Sequence, residues 1–145
     1  MLILRIITTI LLLSLSMFSH AASPISVASY RGLLAGIHGL SDVNRVLGQP
    51  YKKQVNSNNV RYFYRGVDVT VDDSDGKIRT IIVNRDVTFV DVNGVRLGSL
   101  VEPLESKFGK RANQSLLSDE ANGITYWIKD KKVYSIVLGR QKQYE

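Results

Sequence analysis

The stretch Gly39–Leu40–Ser41–Asp42–Val43–Asn44–Arg45–Val46–Leu47–Gly48–Gln49–Pro50 carries the marks of a short helix at both ends. Ser41 can accept hydrogen bonds from the free N–H groups of a first turn. Asp42 places negative charge at the positive end of the helix dipole. Leu40, Val43, Val46 and Leu47 recur at helical spacing and form one apolar stripe. Gly48 can take the left-handed conformation that closes a helix, and Pro50 forbids its resumption. The pattern returns at Gly98–Ser99–Leu100–Val101–Glu102–Pro103–Leu104–Glu105–Ser106–Lys107–Phe108–Gly109. There Ser99 and Glu102 have capping-box spacing, and Leu100, Leu104 and Phe108 share a face. Pro103 fits only within a first turn.

Outward from the first helix the pattern changes to strands. Tyr30, Leu33, Leu34 and Ile37 could form a weak helical turn among Gly32, Gly36 and Gly39. Tyr51 to Val55 reads as extended, and Asn56–Ser57–Asn58–Asn59 as a reversal. Tyr62, Phe63 and Tyr64 follow, then Val67–Asp68–Val69–Thr70–Val71–Asp72 alternates strictly, as a half-buried strand does. Asp73 to Gly76 is a turn, Lys77 to Asn84 another strand, and Val87 to Val92 a further candidate. Arg111 to Asn122 is a polar loop in which Leu116 and Leu117 can dock. Ile124 to Ile128 and Val133 to Leu138 pair as a hairpin across Lys129–Asp130–Lys131.

The two stretches align residue against residue. Asp75, Lys77, Ile78, Thr80, Ile81, Ile82 and Val83 match Asp130, Lys132, Val133, Ser135, Ile136, Val137 and Leu138 at an offset of 55. Gly66 matches Gly123 at 57, and Gly48 matches Gly109 at 61. Helices this short are unstable alone in water, so each is expected to pack on its own strands. The expected fold is therefore α+β: two tandem helix-plus-antiparallel-strand repeats, about 30–84 and 87–139, in two-layer helix-on-sheet packing.

Arg5 and the apolar run Ile6 to Phe18, followed by Ser19–His20–Ala21, have the layout of a signal peptide at 1–21. Cleavage after Ala21, with Ala22 as the alternative, would leave 22–145 as a single soluble domain in the periplasm, or secreted, with no membrane span. Removing 21 of 145 residues leaves 124, and loss of Arg5 takes the net charge from +6 to +5. The chain has no cysteine. It therefore has neither a lipidation site nor a disulfide, and must stand on its core. Its basic residues are scattered, which argues against nucleic acid as a partner.

The order helix, glycine, proline, Tyr-rich strand and hairpin closing on Asp75–Gly76–Lys77–Ile78 resembles the small periplasmic domain family of the outer-membrane assembly lipoprotein BamE (SmpA). It also resembles the tandem-repeat β-lactamase inhibitor proteins. Gly39–Leu40–Ser41, Val43, Leu47–Gly48–Gln49–Pro50, Tyr62, Tyr64 and Val67 to Val71 carry the likeness. A weaker copy lies in Gly98 to Gly109 and Gly123 to Leu138. The resemblance implies protein–protein binding without catalysis. The chain departs from the assembly lipoprotein in having no lipidated cysteine and two units in place of one.

Catalytic chemistry finds little footing in the residues. His38 is the one histidine beyond the leader, and no cysteine can act as nucleophile. Asp73, Asp75 and Gly76 resemble the start of a calcium loop, but Val71 and Ile82 occupy the first and closing ligand positions. Asp42, Glu102 and Glu105 sit where helix dipoles favour carboxylates. No enzyme activity, metal or cofactor is expected. Aromatic residues give the binding signal. Of Tyr62, Phe63 and Tyr64, at least one must face away from the core, and Tyr126 and Trp127 fall on opposite faces. Tyr62, Tyr64, Tyr126 and Trp127 are thus candidates for contact with a protein partner in the cell envelope. Two functions lead: a periplasmic adaptor using an aromatic sheet face, or an inhibitor of an exported enzyme that inserts Asn56–Asn59 or Asp72–Gly76. A third, a small-ligand or cell-wall binder, would need a concave pocket, on which periodicity is silent.

Overall fold

A computed structural model of the chain describes residues 28–109 and 115–141. The leader and the mature N-terminus expected from the sequence lie outside the described residues. The elements run α1 (Leu40–Leu47), β1 (Lys52–Val55), β2 (Asn59–Phe63), β3 (Val67–Asp72), β4 (Ile78–Val83), α2 (Glu102–Phe108), β5 (Leu116–Asp119), β6 (Ile124–Lys129) and β7 (Lys132–Gly139). The seven strands form one antiparallel sheet in the order β1-β2-β3-β4-β7-β6-β5. Among the described residues no helix is long and apolar enough to cross a membrane.

This architecture corrects the expected α+β layout of helix-plus-strand repeats. Among the described residues the fold is mostly sheet, and the two helices have only 8 and 7 residues. Each buries a single side chain completely, Val43 in α1 and Leu104 in α2. Two turns of helix offer too little inward surface to make a layer. Connecting segments complete the core instead, through Ala28, Tyr30, Leu33, Val95 and Val101. The strands supply its main face: Val67, Val69 and Val71 of β3, Ile78, Ile81 and Val83 of β4, and Ile124, Tyr126, Val133, Ile136 and Leu138 of β6 and β7.

Local chemistry explains where the elements depart from the sequence pattern. The N-cap of α1 is Gly39, and Asp42 Oδ2 accepts the Gly39 N–H at 3.1 Å. A Cβ on Gly39 would stand 2.8 Å from the Gly76 carbonyl oxygen, so this helix entry needs glycine for close approach. At α2 no side chain caps the first turn, and Ser99 Oγ accepts the Arg96 N–H instead. Residues 30–37 form turns, with Arg31 at φ 49° and Gly32 at φ 81°, where a helix had been expected. The segment 87–92 forms no strand. Asp86 Oδ1 captures the Thr88 N–H, and Asp91 Oδ1 captures those of Asn93 and Val95. Such side-chain bonds compete directly with a sheet ladder. Leu116 to Asp119, expected as loop, pairs with β6 as an edge strand.

The seam between β4 and β7 pairs Ile81 with Leu138, Ile82 with Val137 and Val83 with Ile136. Both outer hairpins contain an irregularity. It falls between Thr70 and Val71 in the β3–β4 pair and between Trp127 and Ile128 in the β6–β7 pair.

Candidate functional site

Strand alternation assigns each side chain to the core face or to the opposite, outer face. The outer face bears Arg61 and Phe63 of β2, Asp68, Thr70 and Asp72 of β3, and Ile82 of β4. It continues through Ser135 and Val137 of β7 to Thr125 and Trp127 of β6. Both helices contribute to the core on the other side.

Two bulges shape this surface. Trp127 pairs with Ser135 and Ile128 with Val133, so Tyr134 is an extra residue. Thr70 pairs with Thr80 and Val71 with Ile78, so Arg79 is the extra residue of the other hairpin. A bulge re-aims its side chain and sharpens the local twist. Here it brings Tyr134 edge-on to Trp127, with ring centroids 6.3 Å apart and planes at 83°. These rings remain 45% and 43% exposed, high for large aromatic groups on a sheet. A groove of about 260 Å³ opens beside them, floored by Ile82 and Val137 and bounded by Arg61, Asn84 and Ser135.

The remainder of the outer face is paved with arginine. Asp68 is 1% exposed although no helix or strand covers it. Arg61 and Arg85 reach its two carboxylate oxygens at 2.6 and 2.8 Å, and Asn84 Nδ2 donates to it at 3.2 Å. Asp72 is bound by Arg79 and, at 2.9 Å, by Arg140. Arg140 also pairs with Asp75, whose carboxyl is held below its ordinary range by that bond. The Arg61 guanidinium lies 5.2 Å over the Phe63 ring, and the Lys52 ammonium is at the same distance. A cation over an aromatic face is attracted by the ring quadrupole.

The four aromatic residues singled out from the sequence do not come together. Trp127 is at the groove. Tyr62 is half-buried and packs against the core face. Tyr64 is buried, donates to Asn44 Oδ1 at 2.9 Å, and its phenol is pushed up to about 12 by burial. Tyr126 is fully buried, donates to Asp91 and accepts from Asn93 Nδ2 at 2.9 Å. Burial and the Asp91 carboxylate drive its phenol far above the usual value. Phe63 is the member of the Tyr62–Tyr64 run that faces outward. Sequence reasoning missed Tyr134, Arg61 and Arg85. A usable signal existed for one of them: at the offset of 55, Tyr134 stands where the first half has Arg79.

Other candidate residues have local roles. His38 Nδ1 accepts the Leu34 N–H at 3.0 Å. Asp75 Oδ1 accepts the Lys77 N–H in a turn. Among the described residues, no group of three or more histidine or carboxylate side chains is placed to hold a metal ion.

No family model matches the chain, and no curated protein matches it. A solved structure of an extracellular protein containing a SCP domain, from Bacillus anthracis strain Ames, is similar in fold. Its TM-score is 0.51 at 13% identity, over 74% of this chain and 44% of that one. This chain thus spans less than half the length of that protein, and the likeness concerns the fold alone.

Proposed function

We propose that the protein is an exported, non-catalytic binding or adaptor domain that holds a protein partner in the cell envelope on its outer sheet face. One observation carries this reading: the bulge residue Tyr134 and Trp127 stand exposed together on a sheet face that neither helix covers. Aromatic side chains of this kind bury large area at small entropic cost and are favoured interface anchors. Arg61 and Asn84, which line the groove beside them, supply a polar rim. Export is supported by the leader-like residues 1–21, and a non-catalytic role by the backbone bond that occupies His38 Nδ1.

The alternative is an inhibitor that inserts a loop into an exported enzyme. It draws on the β1–β2 hairpin, where β1 is exposed throughout and Val55 is 70% exposed. The exposed aromatic pair favours the adaptor. In a capture experiment from envelope extract, the unaltered protein and Val87→Ala should retain the same partner. Trp127→Ala and Tyr134→Ala should lose it. Retention by all four proteins would remove the outer face from consideration, and turnover of a cell-wall substrate would overturn the non-catalytic reading.

A further inference from the structure

We propose that the groove between Arg61 and the Trp127–Tyr134 pair recognises an extended peptide segment carrying a carboxylate beside an apolar side chain. The inference rests on the outer face being the binding surface and specifies the chemistry of the partner.

Charge is the first argument. Arg61 and Arg85 both pair with Asp68, so two cations meet one anion. Elsewhere on the face, Arg79 and Arg140 meet Asp72 and Asp75, and that cluster balances. One positive charge is left over, at the groove's own rim, where Arg61 lines it. An incoming carboxylate completes the pairing, whereas an incoming ammonium meets like charge.

Polar satisfaction is the second. Arg61 Nε and Asn84 Oδ1 are buried without hydrogen-bond partners. Both residues line this groove. Asn84 Nδ2 donates to Asp68, which turns Oδ1 away from that carboxylate. Neither atom is open to solvent, so a ligand reaches them only when the Arg61 and Asn84 side chains turn toward the groove. A carboxylate can then accept from Arg61 Nε and a backbone N–H can donate to Asn84 Oδ1, relieving two costly unmade bonds. The third argument is the floor: Ile82 and Val137, walled by Trp127 and Tyr134, present an apolar surface for the neighbouring side chain.

Trp127 is the only tryptophan, so its emission reports directly on the groove. The full chain, expressed with its leader and purified in the form the host yields, is titrated with N-acetyl-Phe-Glu-Phe-amide and with the Gln and Lys counterparts. The Glu peptide should bind saturably and about tenfold or more tighter than the Gln peptide, the range of a charge-assisted hydrogen bond. The Lys peptide should bind weakest. The Glu advantage should shrink as salt is raised and vanish in Arg61→Gln. Should that variant fail to fold, Arg61→Lys keeps the charge on Asp68, and the peptide comparison on the unaltered protein stands by itself. Equal affinity for the Glu and Gln peptides, or no response to either, overturns the proposal. If Trp127→Ala still loses the captured partner in that case, the face remains the binding surface and only its carboxylate preference falls.

Discussion

Ile82 and Val137 face each other across the β4–β7 seam and are themselves 55 residues apart. The flanking pairs exchange about them: Ile81 meets Leu138, and Val83 meets Ile136. The strands that align in sequence therefore meet antiparallel around a local two-fold centre. Core residues on both sides of the seam belong to one buried cluster. Ile81→Ala should lower stability by about 2–5 kcal/mol through the cavity it opens. Because the core is continuous, the emission of Trp127, in the other half, should report the same shifted denaturation midpoint as circular dichroism. A Trp127 transition left unmoved would show that the halves unfold independently.

Asp68 anchors the arginine paving. Asp68→Asn leaves Arg61 and Arg85 without their counter-charge and should destabilise the protein by about 1–3 kcal/mol. The arginines are partly solvated, which keeps the loss below that of a fully buried pair. Arg45→Ala, which breaks only the exposed pair with Asp42, should cost much less. Urea midpoints of the two variants measure the difference.

Stability should fall at both ends of the pH range. Hydrogen bonds from Thr88 and Tyr30 hold the Asp86 carboxyl at about 2, below its ordinary 3.8. Its contribution is present above pH 4 and is lost as pH falls toward 2. Burial, with the Asp86 bond, raises Tyr30 to about 12, and burial raises Tyr64 to the same value. Their contribution is complete below pH 10 and is lost as pH rises toward 12. Asp86→Asn should flatten the acid limb, and Tyr30→Phe with Tyr64→Phe the alkaline limb, in midpoints followed across pH.

The buried tyrosines should matter for stability alone. Tyr126→Phe removes the one hydroxyl that bonds both Asp91 and Asn93 and should cost about 1–3 kcal/mol. Tyr64→Phe loses one bond, to Asn44, and should cost about 1 kcal/mol. Both variants should capture a partner as the unaltered protein does.

Strand positions were largely legible in the sequence, and their assembly was not. The stretch Val67 to Asp72 and the hairpin either side of Lys129–Asp130–Lys131 reappear as β3, β6 and β7. Strand β3, however, is buried on both faces and not half-buried, because arginines cover its polar side. The stretch around α1 does form a helix, but Gly39 caps it while Ser41 lies inside its first turn, and end signals say nothing of how much surface a two-turn helix can bury. Leu116 to Asp119 has no alternation of its own and becomes a strand only by pairing with β6. Val87 to Val92 has the composition of a strand, but Asp86 takes the Thr88 N–H within it and Asp91 takes those of Asn93 and Val95 just beyond it. Trp127 could be marked as a contact residue by type. Its meeting with Tyr134 depends on a bulge, and a bulge is a property of register between strands, which no single segment encodes.

The outer face is tested most directly by placing a photo-crosslinking amino acid at position 134 and, as a control, at the more exposed Tyr51, in living cells. A discrete adduct with one envelope protein should form from position 134, weaken when Trp127→Ala is added, and be absent from position 51. An adduct formed from position 51 and none from position 134 would contradict the account.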